Sequence, residues 1–423
     1  MAELEPELVT LANGVRVALD PMPALATAAV GVWVQVGARW ETPEENGVAH
    51  LFEHMAFKGA GGRDAKAFAE HVESIGASLN AGTGYERTSY YGRTLSEHAA
   101  PVLDLIADIM LEPHWDADDL EKEKGVVRQE MGEAYDQADD RVFELHQGLV
   151  FADQPIGRPI LGAPETLDAI SVDTLRAFRD AHLTADRTIV AVAGAFDRAA
   201  ILETAQARFG ALRIGEGARF TSARALGGAA VEARKLEQVN LALSWAAPAA
   251  GAPDAFAARV LAEILGGGMS SRLFQDVREA RGLVYAIDAY LDAFEDVGRL
   301  GVFAGCAPAN AAEVVGRTGD ALAALAAQGP EAGELARAKA MLAASLLMST
   351  EAPSARAEAR ASQLFLRGRL MPFSELRTRI EAVDADAVRA VAAQAAGSLG
   401  AAAAVGPKSG LGAAKAFAAR FSA

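Results

Sequence analysis

The order of elements in this 423-residue chain runs through once and then begins again. The stretch AHLFEHMAFKG, Ala49 to Gly59, lies over ARVLAEILGGG, Ala258 to Gly268, at an offset of 209 residues. Gly194 in IVAVAGAFD lies over Gly406 in GAAAAVGPK at an offset of 212, and Arg208-Phe209 lies over Arg420-Phe421 at the same offset of 212. Three matches in order, at nearly constant offset, point to two homologous halves of similar length. That also suits a chain too long for one typical hydrophobic core. Between the halves, ALRIGEGARFTSARALGGAAVE (211–232) loses periodicity and gains Gly, Ser and Thr, the composition of a connecting segment. The expected organisation is a first domain over 1–211, a linker over 212–232 and a second domain over 233–423.

Within each half, strand-like and helix-like runs are mixed, so the fold class reads as α+β. GVRVALDPM and TAAVGVWVQVGAR are Val-rich and partly alternating, as neighbouring strands are. ENGVAHLFEHMAF opens a helix, and DADDLEKEKGVVRQEMGEAYDQ is a longer one whose acidic first turn suits the helix dipole. ASLNAGTGYERTSYYGRTL reads as a hairpin, and TIVAVAGAFD as a buried strand.

The sequence carries 40 Lys and Arg against 56 Asp and Glu, a formal net charge of −16. Phosphate binding needs a basic footprint, so a nucleic-acid partner is excluded, as is docking on an anionic membrane surface. No apolar run reaches the length of a membrane span. Cys306 is the single cysteine, which rules out an intrachain disulfide and a cysteine-based metal cluster. The opening MAELEPELVTLANGVRV lacks the basic and apolar regions of a secretory signal, so a cytoplasmic location is expected; a periplasmic one would require a signal already removed.

His50, Glu53 and His54 stand in the order H-x-x-E-H. On a helix, residues four apart share a face, so the two imidazoles converge on one point and can hold one divalent ion, Zn²⁺ being the usual choice for such nitrogen donors. Glu53 lies beside them, placed to take a proton from a water that the metal has made acidic. A hydrolytic zinc site needs a third ligand. Glu123 and Glu130 are seven residues apart, two helical turns, hence on one face, and Glu133 lies on roughly the same face. The second copy has Arg259, Ala262 and Glu263 opposite His50, Glu53 and His54, so it holds no such set. LGGGMSSR lacks the lysine and spacing of a phosphate-binding loop.

HLFEHMAFKG, followed by EKEKGVVRQEMGEAYDQADDRVFELHQGLVFADQPIGRPILGAPETL, resembles the M16 (pitrilysin-type, inverzincin) metallopeptidases. The resemblance is strongest to the subgroup of the mitochondrial processing peptidase and its small bacterial homologues. It extends over TIVAVAGAFD and LGGGMSSRLFQDVREARGLVYAIDAY and so covers nearly the whole chain. It implies two halves, each a mainly antiparallel sheet packed with helices, together forming half of a clamshell chamber that dimerisation closes. His50 and His54 would be zinc ligands with Glu130 the third, Glu133 being its rival, and Glu53 the general base. Glu123 matches a glutamate that supports catalysis without holding the metal. Aligning LEKEKGVVRQE with LARAKAMLAAS, at an offset of 215, sets Ala338 opposite Glu123 and Ser345 opposite Glu130, so the second copy lacks all three ligands.

The same resemblance assigns Arg278 and Tyr285, seven apart in REARGLVY, to the substrate at the zinc; on the residues alone they read as a helix-surface arginine and a half-buried strand tyrosine. Asn80 matches a strand edge along which substrate extends. The implied activity is endopeptidase cleavage of short or unfolded peptides with one Zn²⁺ per chain. Because both residue sets lie on one chain, a homodimer is the expected assembly. A heterodimer with a related subunit, or a non-catalytic scaffold of the same fold, are the alternatives.

Overall fold

The computed structural model describes residues 5–216 and 220–422. Residues 217–219 of the expected linker, with 1–4 and 423 at the ends, lie outside the described residues. Two mainly antiparallel sheets carry the two halves. The first has six strands in the order Glu7–Thr10, Arg16–Pro21, Thr188–Gly194, Thr27–Val34, Thr88–Leu95 and Ser78–Thr83. The second has five, in the order Val284–Ala293, Gly298–Cys306, Val239–Ala247, Ala401–Gly406 and Gly228–Ala233. Each contains one parallel pair, Arg16–Pro21 with Thr188–Gly194 and Gly228–Ala233 with Ala401–Gly406. Read from opposite ends, the two orders are the same topology with one additional strand in the first half.

The repeat reaches down to single residues. Gly194 and Gly406 end equivalent strands with φ of +115° and +151°. A side chain at either would drive a Cβ into the strand alongside, within 2.4 Å of the Thr27 carbonyl and 2.6 Å of the Gln238 carbonyl. The next turn is closed alike, Met22 N–H donating to the Gly194 carbonyl and Arg234 N–H to that of Gly406. Residues 228–232, read as the end of the linker, belong to a strand. GAAVEA has little strand character of its own, and parallel pairing along Ala401–Gly406 imposes it.

Strand Thr27–Val34 is buried on both faces, which explains its continuous apolar run. Val30, Val32 and Val34 join the main core of the first sheet, with Val190 and Val192 beside them. Ala29 and Trp33, with Ile189, Ala191 and Ala193, pack instead on Ala357, Ala361 and Leu364 of helix Pro353–Arg367. The small residues let that helix approach the sheet closely. In the second sheet, Ala242, Ala403 and Val405 receive Val142 of helix Ala138–Val150 in the same manner. Each half of the sequence thus sends one helix to the other half's sheet. Compact packing therefore divides the chain differently from a contiguous partition at 211 and 232: residues 1–131, 158–221 and 347–372 form one unit, and 132–157, 222–346 and 373–423 the other.

Both exchanged helices carry an arginine at matching positions, Arg141 and Arg356, offset by 215. In the first unit Arg356 reaches Asp20 at 2.5 and 3.0 Å, and Arg360 adds a third bond at 2.7 Å. In the second, Arg141 reaches Glu232, offset from Asp20 by 212, at 2.8 Å. No helix among the described residues is long and apolar enough to cross a membrane.

Candidate metal centre

Helix Val48–Ala56 turns Val48, Leu51, Phe52 and Met55 into the core of the first unit. That heptad-like spacing leaves His50, Glu53 and His54 together on the half-buried opposite face. Helix Ala117–Asp136 packs through Leu120, Glu123, Lys124 and Val127 and presents Glu130 two turns beyond Glu123 on the same face.

The two helices bring three donors into one group. Among the described residues, His50, His54 and Glu130 are the set whose ligand atoms all lie within 4.8 Å of one another. The Nε2 atoms of His50 and His54 stand 3.7 and 3.5 Å from one oxygen, Oε2 of Glu130. The imidazole rings meet edge to face at 4.7 Å. Glu133 is exposed and stands outside this group. Glu123 approaches the far side of His54, its Oε2 3.0 Å from Nδ1, while its Oε1 accepts from Lys58 Nζ at 2.7 Å. A carboxylate there fixes the tautomer with the proton on Nδ1 and turns the Nε2 lone pair toward His50 and Glu130.

Burial, reinforced by neighbouring His54, pushes the pKa of His50 down to about 4. It is neutral at pH 7, the state in which imidazole donates a lone pair. Glu53 is pushed upward, chiefly by burial; the hydroxyl and backbone of Thr83 oppose that shift. A carboxyl so raised is a better base than an exposed one. Three buried atoms at this site have no hydrogen-bond partner: Oε2 of Glu130, Oε2 of Glu53 and Nδ1 of His50. The Glu130 oxygen is the most informative. It faces two nitrogens, one of them on a neutral ring, with no proton donor to satisfy it, and a divalent cation is the group that would. Two imidazoles and one carboxylate are a donor set that fits zinc.

The remaining sequence candidates lie elsewhere. Asn80 is exposed on Ser78–Thr83, the edge strand of the first sheet, and its Oδ1 accepts from Ala81 N–H at 2.9 Å. Arg278 and Tyr285 belong to the second unit. Arg278 is exposed with its guanidinium over the Phe274 ring at 4.6 Å. Tyr285 is not the half-buried strand tyrosine its setting suggests. It is the extra residue of a β-bulge between Val284 and Ala286, and 79% of it is exposed. A bulge re-aims one side chain out of the ladder, and an aromatic ring so exposed has no packing role. Sequence reading missed Thr83 and Lys58. Neither had a local signal, since each acts on a carboxylate brought close by the fold.

A model of the insulinase-type peptidase family M16 matches residues 16–164, and one of the peptidase M16 inactive domain matches 169–342. An "uncharacterized zinc protease" of Rickettsia felis is 34% identical, covering 94% of this chain and 96% of its own. The chain belongs to peptidase family M16. The zinc protease YmxG of Bacillus subtilis, also described as uncharacterized, is 33% identical over 91% of this chain and 94% of its own. Among solved structures, an M16 inactive-domain protein of Pseudomonas fluorescens superposes with a TM-score of 0.88 at 21% identity, covering 96% of this chain and 99% of that one. A protease from Helicobacter pylori gives 0.86 at 21% identity, over 95% and 99%. At that identity the likeness is one of M16 fold. The His50–His54–Glu130 group lies within the first matched segment, and the second segment, with Arg259 and Glu263 in place of the histidines, matches the inactive-domain model.

Proposed function

We propose that this chain is a zinc-dependent endopeptidase that hydrolyses short or unfolded peptides. The observation that carries the reading is the carboxylate oxygen of Glu130, buried without a proton donor and facing Nε2 of both His50 and His54. In this reading His50, His54 and Glu130 hold one Zn²⁺, which when bound supplies Lewis-acid activation of water and of the scissile carbonyl. Glu53 removes the proton from the attacking water and returns it to the departing amine. Glu123 holds His54 in its tautomer. Substrate extends along the edge strand Ser78–Thr83 at Asn80 by backbone pairing, the mode an unpaired sheet edge offers. Arg278 fixes a peptide carbonyl and Tyr285 donates a hydrogen bond to the oxyanion; their exposure in the second unit supports a substrate role. Presence of both residue sets on one chain favours a homodimer enclosing the substrate in a chamber over a heterodimer with an inactive subunit.

The test compares zinc content and cleavage of a quenched peptide between the native protein and Glu53→Gln. About one zinc in both, with cleavage by the native protein alone, makes Glu53 the base and not a ligand. Zinc without cleavage in the native protein turns the reading to a heterodimer subunit. Absence of zinc sinks it.

A further inference from the structure

The motif helix begins in an unusual way. Its first residue follows Gly47, at φ +100°, and no side chain at that N-cap position caps it. The cap comes from a distance. Glu41 is 4% exposed, and its Oε1 accepts from Ala49 N–H at 2.9 Å. Its Oε2 accepts from Gly47 N–H at 2.9 Å and from the Asn46 amide at 2.8 Å. Asn46 is tied in turn to the Pro159 carbonyl at 2.9 Å, and its own carbonyl accepts from Thr166 Oγ1 at 2.7 Å. The Arg158 guanidinium donates to the backbone carbonyl of Glu41. Gly47 leaves no room for slack, because a Cβ there would meet the Leu161 carbonyl at 2.9 Å. The first turn of the helix is therefore clamped between a buried carboxylate and the 158–166 segment.

A buried carboxylate is a costly way to cap a helix, since an exposed Ser, Thr or Asp does it without desolvation. The repeat shows that the fold itself does not demand it. The matching helix of the second half, Ala255–Gly266, starts at Asp254 with no side-chain capping bond. At offsets of 209 and 212 from Glu41 that half has Ala250 and Pro253. The buried cap occurs in the half that owns the ligand set. Its last acceptor bond ends at Ala49, one residue before His50.

We propose that Glu41 is a positioning residue of the metal centre, fixing the first turn of the motif helix and through it the direction of His50. His50 needs such help, because its Nδ1 has no partner to orient the ring as Glu123 orients His54. The inference rests on the zinc reading above and names a support that reading does not contain.

The experiment titrates Zn²⁺ into the metal-free native protein, Glu41→Gln and Glu41→Asp against a chromophoric chelator, and records the visible spectrum of each Co²⁺-substituted protein. The amide of Glu41→Gln keeps the shape but cannot accept from all three donors. Supporting groups around a metal site alter affinity by roughly 10- to 100-fold, and a loss of that size is expected for Glu41→Gln, with a changed cobalt spectrum and an unchanged far-UV circular dichroism spectrum. A merely structural cap would lower the melting temperature and leave zinc affinity and cobalt spectrum as in the native protein, overturning the inference while the zinc reading stands. If the native protein binds no zinc, both fall. If Glu41→Gln does not fold, Glu41→Asp decides: it keeps the charge but retracts it by one methylene, so zinc binding weakened about threefold or more supports the role, and unchanged binding overturns it.

Discussion

The repeat provides its own control for how burial sets the strength of an ion pair. Asp20–Arg356 and Glu232–Arg141 occupy equivalent places, each tying an exchanged helix to the strand it covers. They differ in solvent access. The Asp20 side chain is 0% exposed and its two arginines 5% and 1%, whereas Glu232 and Arg141 are 21% and 22% exposed. Replacing Asp20 by Asn preserves shape but turns an amide N–H₂ toward two guanidiniums that can only donate. Arg356 makes two of the three bonds to Asp20 and Arg360 one, so the loss centres on Arg356. Removing one partner of a buried pair costs about 3–5 kcal/mol, and the same change in a partly exposed pair about 1 kcal/mol or less. Asp20→Asn should therefore destabilise by at least about 3 kcal/mol and Glu232→Gln by about 1. Urea is the denaturant of choice, because guanidinium chloride would screen the very interaction being measured. Equal losses in the two variants, or a loss below about 1 kcal/mol for Asp20→Asn, would refute the argument that burial governs these pairs.

Glu123→Gln should weaken zinc binding by roughly 10- to 100-fold in chelator competition, because His54 loses the charged acceptor on Nδ1; unchanged binding would make Glu123 a partner of Lys58 alone. A pH effect is expected from His146, wholly buried with Nε2 3.0 Å from Ser244 Oγ and Nδ1 3.2 Å from Arg299 Nη1. Burial first and Arg299 second push its pKa down to about 3. The unfolded chain takes up that proton near pH 6.5, so the stability due to neutral His146 is complete above that value and lost as pH falls toward 3. Between pH 7 and 5 the native protein should lose about 2 kcal/mol more than His146→Gln in urea unfolding; parallel losses would refute it.

Much of the site was legible because helices write their geometry into sequence spacing. Intervals of three, four and seven residues put His50, Glu53 and His54 on one face and Glu123 and Glu130 on another, and no tertiary knowledge is needed to see it. The two-fold repeat was legible for a similar reason, since equivalent glycines and arginines sit at nearly fixed offsets. What the sequence alone left open are the relations between segments far apart along the chain. Asp20 and Glu232 match at 212, and Arg356 and Arg141 at 215, yet nothing local says that each acid pairs with the arginine of the other half. The exchange of helices decided that, because each sheet has a second apolar face that its own half leaves uncovered. Helical spacing also left Glu133 beside Glu130 as a candidate ligand, and it is the packing of Leu120 and Val127 that turns Glu130 rather than Glu133 toward the two histidines. Glu41 had no capping-box spacing to announce it, standing six and eight residues before the amides it binds. Tyr285 looked like an ordinary strand residue until pairing with Gly298–Cys306 left it over as a bulge. Local periodicity is a property of the chain and can be read from it; burial, pairing register and the approach of one carboxylate to a distant amide are properties of the packed whole, and only folding assigns them.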